Sequence, residues 1–186
     1  MADQPLVIQL DVETFLRWEE AQPDRHELLD GFVFAFAGGD VAHAVIAANV
    51  IALLVAAVER PCRVFTADAQ VVSRLRSATY ADGGVTSEDP LDAPVVRKPV
   101  LLVEVVSESS QRRDRVDKRA IYHAIDSLRS YVLVDRTRRL IEGDERGDGD
   151  GWATSTTMQG TAYAMGIALP LEAVYAGTPL ETADAQ

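Results

Sequence analysis

The chain is poor in several residue types, and each scarcity excludes a class of protein. It has one cysteine, Cys62. A single thiol closes no internal disulfide and builds no cysteine-rich zinc site, so a reducing cytoplasm is the expected setting. Three histidines, His26, His43 and His123, are too few for a dedicated zinc centre. The N-terminus, MADQPLVIQLDVE, has no basic start and no long apolar core, which argues against a signal peptide. The longest apolar stretch, Val41 to Val58, is interrupted by His43 and Asn49 and reads as a buried helix, not a membrane span. There is no phosphate-binding P-loop, no dinucleotide glycine fingerprint and no G-x-S-x-G elbow around Ser107. Positive charge is scarce as well. Eighteen Lys and Arg face 29 Asp and Glu, for a formal net charge of -11. An acidic surface argues against non-specific binding to nucleic acid, which needs clustered cations. Only Lys98 and Lys118 are lysines.

The 186 residues and 47% hydrophobic content suit one domain with a substantial core. Residues 1–180 are expected to form that domain, with 181–186 as a disordered tail. Asp11 caps a short helix to Gln22. Asp30-Gly31 sits between two hydrophobic runs and predicts a hairpin of His26–Leu29 with Phe32–Phe36. Asp40 caps a long helix to about Glu59. Arg63–Arg74 reads as one strand with an irregularity near Ala67–Ala69. Ala78–Thr86 reads as another, weakened by Gly83-Gly84. Residues 87–98 read as a loop, and Pro99–Ser107 as the strongest strand. Ser109 or Ser110 caps a helix to about Ile125, and Ser130–Asp135 forms a second buried strand. Arg138–Glu145, Trp152–Thr157 and Ala162–Met165 follow as strands, and a short helix surrounds Glu172–Tyr175. The order predicts an α+β or mixed α/β fold, with a central mixed sheet flanked by helices. The strand–helix–strand unit from Pro99 to Asp135 predicts a parallel pair.

The stretch LLVEVVSESS, residues 101–110, places Glu104 inside a strand that is apolar on both faces. A buried carboxylate costs several kcal/mol unless it is paired, protonated or bound to a metal. A salt bridge to an arginine of a covering helix and a metal ligand stand about level on this evidence. The other candidates each have a plainer reading. Asp82 in TYADGG fits a turn, and Glu27 in HELLDG an exposed edge position. Lys118 fits a helical pair with Asp114, and His43 a capping or core role. Two acidic residues on neighbouring strands would make a hard oxygen site of the kind Mg²⁺ prefers.

Taken in order, HELLDG, DVAH, YAD, PVLLVEVVSESS and DRVDKRAIYHAIDSLRSYVLVD form a longer pattern. This set resembles the bacterial Uma-type putative restriction endonuclease family, within the PD-(D/E)XK nuclease superfamily, from about Val12 to Tyr175. The resemblance implies a restriction-endonuclease-like fold with an N-terminal helix and β-hairpin. It implies Mg²⁺- or Mn²⁺-dependent hydrolysis of DNA phosphodiesters. Asp82 and Glu104 match the acidic motif residues, and Glu27 an acidic residue that can complete the metal site. The motif lysine two residues after the glutamate is Val106 here, and Lys118 is its candidate replacement. Asp82, Glu104, Lys118 and Glu27 are thus the expected catalytic group, the three acids also holding metal. Arg112, Arg113, Arg115 and Arg119, with His43, are the expected DNA contacts. Two departures stand out. Ala81 replaces the motif proline, and Gly83-Gly84 replaces β-branched residues, which predicts a bent strand. A cytoplasmic homodimer that focuses a basic cleft, with no membrane association, is the expected assembly. The alternative is a nuclease-fold protein without activity that acts as a binding or regulatory module.

Overall fold

The computed structural model describes residues 6–36, 38–74, 76–106, 113–149 and 151–181. Strand β1 (Leu6–Gln9) precedes helix α1 (Val12–Glu19). Asp11 caps α1 by accepting from the Thr14 backbone at 2.9 Å. Strands β2 (His26–Leu29) and β3 (Phe32–Ala35) form the expected hairpin. Its turn residues Asp30 and Gly31 both adopt positive φ, 48° and 87°. That is the twist-matched two-residue turn for which Asp-Gly is suited. Helix α2 (Val41–Ala57) begins at Asp40, whose Oδ1 accepts from the His43 backbone at 3.0 Å.

The two middle strand readings each divide in two. Arg63–Arg74 becomes β4 (Arg63–Thr66) and β5 (Gln70–Ser73), and Ala78–Thr86 becomes β6 (Ser77–Tyr80) and β7 (Gly83–Thr86). The loop that follows contains the two-residue β8 (Val95–Val96), before β9 (Pro99–Val106). A π-helical segment, Arg113–Lys118, runs into the short α3 (Arg119–His123). The expected serine cap lies outside the described residues. Strands β10 (Ser130–Asp135), β11 (Ile141–Arg146), β12 (Trp152–Thr157), β13 (Thr161–Ala164) and β14 (Ile167–Pro170) follow, and α4 (Leu171–Val174) is the last element.

Among the described residues the strands form two six-stranded sheets and one of two strands. The first runs β1-β3-β2-β6-β5-β8, the second β12-β11-β10-β9-β7-β4, and β13 pairs with β14. The chain passes between the large sheets at β4 to β5 and returns at β6 to β7. The result is a mixed α+β architecture. The β9–β10 pair is parallel, in register from Leu101–Ser130 to Val106–Asp135. The glycines do not bend β7. Gly83 and Gly84 pair regularly with Val103 and Leu102, and the irregularity falls between Val85 and Thr86.

Strand β9 separates two cores. Leu101, Val103 and Val105 pack with Ile46, Val50 and Leu54 of α2. Leu102 and Val106 pack with Ile121, Tyr122, Leu128 and Tyr131. A third core joins α1 to the first sheet through Phe15, Leu28, Val33 and Ala78. Among the described residues no helix is long and apolar enough to cross a membrane.

Candidate functional site

Glu104 lies on the α3 side of β9 and is 4% exposed. Its Oε1 accepts from Lys118 Nζ and from the Tyr122 hydroxyl, both at 2.9 Å. The same ammonium lies 2.9 Å from Glu27 Oε1 and donates to the Tyr80 carbonyl at 3.2 Å. Glu27 is 1% exposed, which corrects the reading of an exposed edge residue. Strand β2 is interior to its sheet, between β3 and β6. Its partner β6 sends the Tyr80 backbone N–H to Glu27 Oε1 at 2.9 Å. Two buried carboxylates, one from each large sheet, thus share one ammonium from the helical segment between β9 and β10. The pairing lowers the cost of burying each charge.

The Tyr122 hydroxyl also lies 2.9 Å from Thr79 Oγ1. An ionised carboxylate only accepts, so the single phenolic proton goes to Glu104 and the Thr79 hydroxyl donates to the phenol oxygen. Burial, and then the charge of Glu104, push the Tyr122 pKa well above the ordinary phenol value. The phenol therefore remains a donor at any physiological pH.

Asp82 sits where the chain enters the second sheet, just ahead of β7. Its Oδ2 accepts from the Val105 backbone at 2.6 Å and lies 3.1 Å from His43 Nε2. His43 stands in the first turn of α2, next to the cap Asp40, which pairs with Arg136. At the carboxyl end of β9, Lys118 and Tyr122 thus hold Glu104, and His43 at the start of α2 meets Asp82. Ligands of open α/β sheets gather at such strand ends. Among the described residues no three His, Cys, Asp or Glu side chains cluster as a cation's ligand set.

The expected DNA-contacting arginines fall differently. Arg112 lies outside the described residues, as do the side chains of Arg113 and Arg115. The Arg119 guanidinium turns to the second sheet, 2.7 Å from Asp144 Oδ2 and 3.1 Å from Glu142 Oε2. Asp144 also takes His123 Nε2 at 2.9 Å and the Thr154 hydroxyl at 2.7 Å. Burial works to raise its pKa, but the His123, Thr154 and Arg119 partners outweigh burial and hold it below the ordinary value. His123 stacks on Trp152 at 3.9 Å between centroids, and Arg146 lies 4.6 Å from the same ring's centroid.

Sequence reasoning named Glu27, Asp82, Glu104 and Lys118 but missed the Tyr122–Thr79 pair. Tyr122 carried a signal, four residues after Lys118 on the same helical face. Thr79 carried none, because its place depends on which sheet β6 joins.

A family model described as "Putative restriction endonuclease", Uma2, matches residues 12–175. The chain belongs to the Uma2 family. An uncharacterized protein of Synechocystis sp. is 28% identical over 177 residues, covering 91% of this Uma2 chain and 93% of the relative. A second uncharacterized protein of the same organism is 25% identical over 155 residues, covering 80% and 88%. Among solved structures, a putative nuclease belonging to DUF820 from Anabaena variabilis superposes with a TM-score of 0.69. It is 16% identical and covers 89% of this chain and 97% of its own. That likeness is one of fold.

Proposed function

We propose that this Uma2 chain is a Mg²⁺-dependent endonuclease that hydrolyses DNA phosphodiester bonds. The observation that carries the reading is the Glu27–Lys118–Glu104 assembly, two buried carboxylates on one ammonium, with Asp82 bound to the Val105 backbone next to Glu104 in β9. The donor chemistry suits Mg²⁺. The oxygens are hard carboxylates, and negative charge exceeds the neighbouring ammonium. Mg²⁺ takes one or two carboxylates and fills its remaining positions with water and phosphate. Asp82 and Glu104 are the residues that would hold it, with Glu27 adding negative charge behind Lys118. When bound, the ion supplies a water of lowered pKa and offsets charge growing on the phosphate. Tyr122 and Lys118 fix the rotation of the Glu104 carboxylate by donating to one of its oxygens. Glu27 and the Tyr80 carbonyl hold Lys118 in place. A water or phosphate oxygen that engages Lys118 must take over one of the contacts its ammonium already makes. In that position the ammonium orients the water or stabilises the developing oxyanion.

A second reading has its own support. The Lys118 ammonium is buried and has three acceptors within 3.2 Å, which also suits a structural ion pair. With the charge of -11, this favours a nuclease-fold binding or regulatory module. Nicking of supercoiled plasmid in Mg²⁺, with Mn²⁺ calorimetry alongside, separates the two. Wild type is expected to nick, and Asp82→Asn and Glu104→Gln to lose about a hundredfold or more. Intact plasmid, with Mn²⁺ heats equal in wild type and Glu104→Ala, would carry the second reading.

A further inference from the structure

We infer that β12 is a dimerisation edge, and that a second copy of this chain pairs with it antiparallel across a twofold axis. From Gly151 to Leu171 the sequence has no Asp, Glu, Lys, Arg or His, in a chain that is 25% charged. The stretch includes β12, an outer strand of the second sheet. An unpaired edge offers its backbone N–H and C=O groups to any strand that fits. Proteins usually blunt such edges with short strands, lysine, proline or bulges. The other edges of the two large sheets are short: four residues in β1, four in β4 and two in β8. Strand β12 has six, paired in unbroken register with β11 from Trp152–Arg146 to Thr157–Ile141. It has no charge and no proline, and its residues from Ala153 to Thr156 are exposed.

The neutral strip extends beyond the strand. Met158 is 57% exposed and Tyr163 61%. Gly143, opposite Ser155 in the β11–β12 register, places the two regions together. A Cβ added there would lie 3.3 Å from Ser155 Oγ and 3.7 Å from the Tyr163 carbonyl. The β13–β14 hairpin therefore crosses beside the middle of β12. It widens the surface toward the roughly 800 Å² per partner that stable complexes bury.

Charge selects the occupant. A partner of opposite charge would find its complement on the acidic faces and gain nothing from a neutral strip. Two copies at -11 each repel overall, and a strip without charge is where that repulsion is least. An antiparallel edge is also self-complementary, as a twofold interface requires.

The test is sedimentation equilibrium of the full chain from micromolar to sub-millimolar concentration. Wild type is expected at twice the 20.2 kDa chain mass. The double variant Ala153→Lys, Thr156→Lys guards the edge. It faces each new lysine with a carboxylate directly across the ladder, Glu145 and Glu142, so the fold is retained. Its dimer is expected to weaken at least about tenfold, with the thermal midpoint kept. A wild type that stays monomeric overturns the inference, as does a double variant that dimerises as tightly as wild type. Should the variant not fold, hydrogen exchange on wild type decides. Slow amides in β12 must quicken on dilution, and exchange independent of concentration also overturns the inference.

Discussion

Two carboxylates share Lys118, so the members of this cluster are not equivalent. Lys118→Met leaves Glu27 and Glu104 buried without their shared cation, and the expected loss is about 3–5 kcal/mol. Glu104→Gln keeps an acceptor for Tyr122 and leaves Lys118 its pair with Glu27, so about 1–2 kcal/mol is expected. Urea unfolding at neutral pH measures both, and equal losses would contradict the sharing. At this scale the sequence showed where charge was misplaced but not what answered it. Glu104 stood out because its neighbours on both faces are apolar. Glu27 did not, because a four-residue strand looks the same at an edge and in the interior of a sheet. Its burial comes from β6, some fifty residues later in the chain. The plain reading of Glu104 expected an arginine from a covering helix, and Lys118 fills that place.

Gly84 shows how an element is fitted to its neighbours. A Cβ on Gly84 would lie 2.5 Å from the Leu101 carbonyl and 2.6 Å from the Phe65 ring. The first contact is backbone inside a central ladder and cannot swing aside. Gly84→Ala is therefore expected to destabilise by about 1–3 kcal/mol. At Gly83 the closest obstacle is the end of the Ile51 side chain, which can rotate, so Gly83→Ala should be the milder of the two. Thermal midpoints of the pair check the order. Legibility among the elements followed locality. Asp30-Gly31, the caps Asp11 and Asp40, and the apolar strands β9 and β10 announce themselves within a few residues. The change of sheet at Ala67–Ala69 shows in the sequence as an irregularity, and the one at Ala81-Asp82 does not show. In both cases only distant partners decide which sheet each half joins. Strand β1 was missed for the same reason, since it exists through its pairing with β3.

Across the whole molecule, net negative charge coexists with carboxylates that the fold keeps ionised. Asp144 is one. Asp135 is another, where Thr137 and Arg138 outweigh the burial that works against ionisation. Both folded pKa values lie below the ordinary 3.8. Their stabilisation is in place above that value and is lost as pH falls below it. Denaturant midpoints measured against pH should thus fall in that acid window. Asp144→Asn should be weaker at neutral pH and lose less on acidification; parallel curves for the two proteins would contradict this. The exchange of chain between the sheets has a consequence for how the protein is made. Glu27 and Thr79 belong to one sheet and Glu104 to the other, and Ala81-Asp82 is the thread between them. Neither sheet holds the charged cluster alone, so a nascent chain has no complete version of it before residues 27 through 122 have all emerged and closed. The cluster thus behaves as a late clasp: it draws the two halves shut, and it comes undone whenever they part.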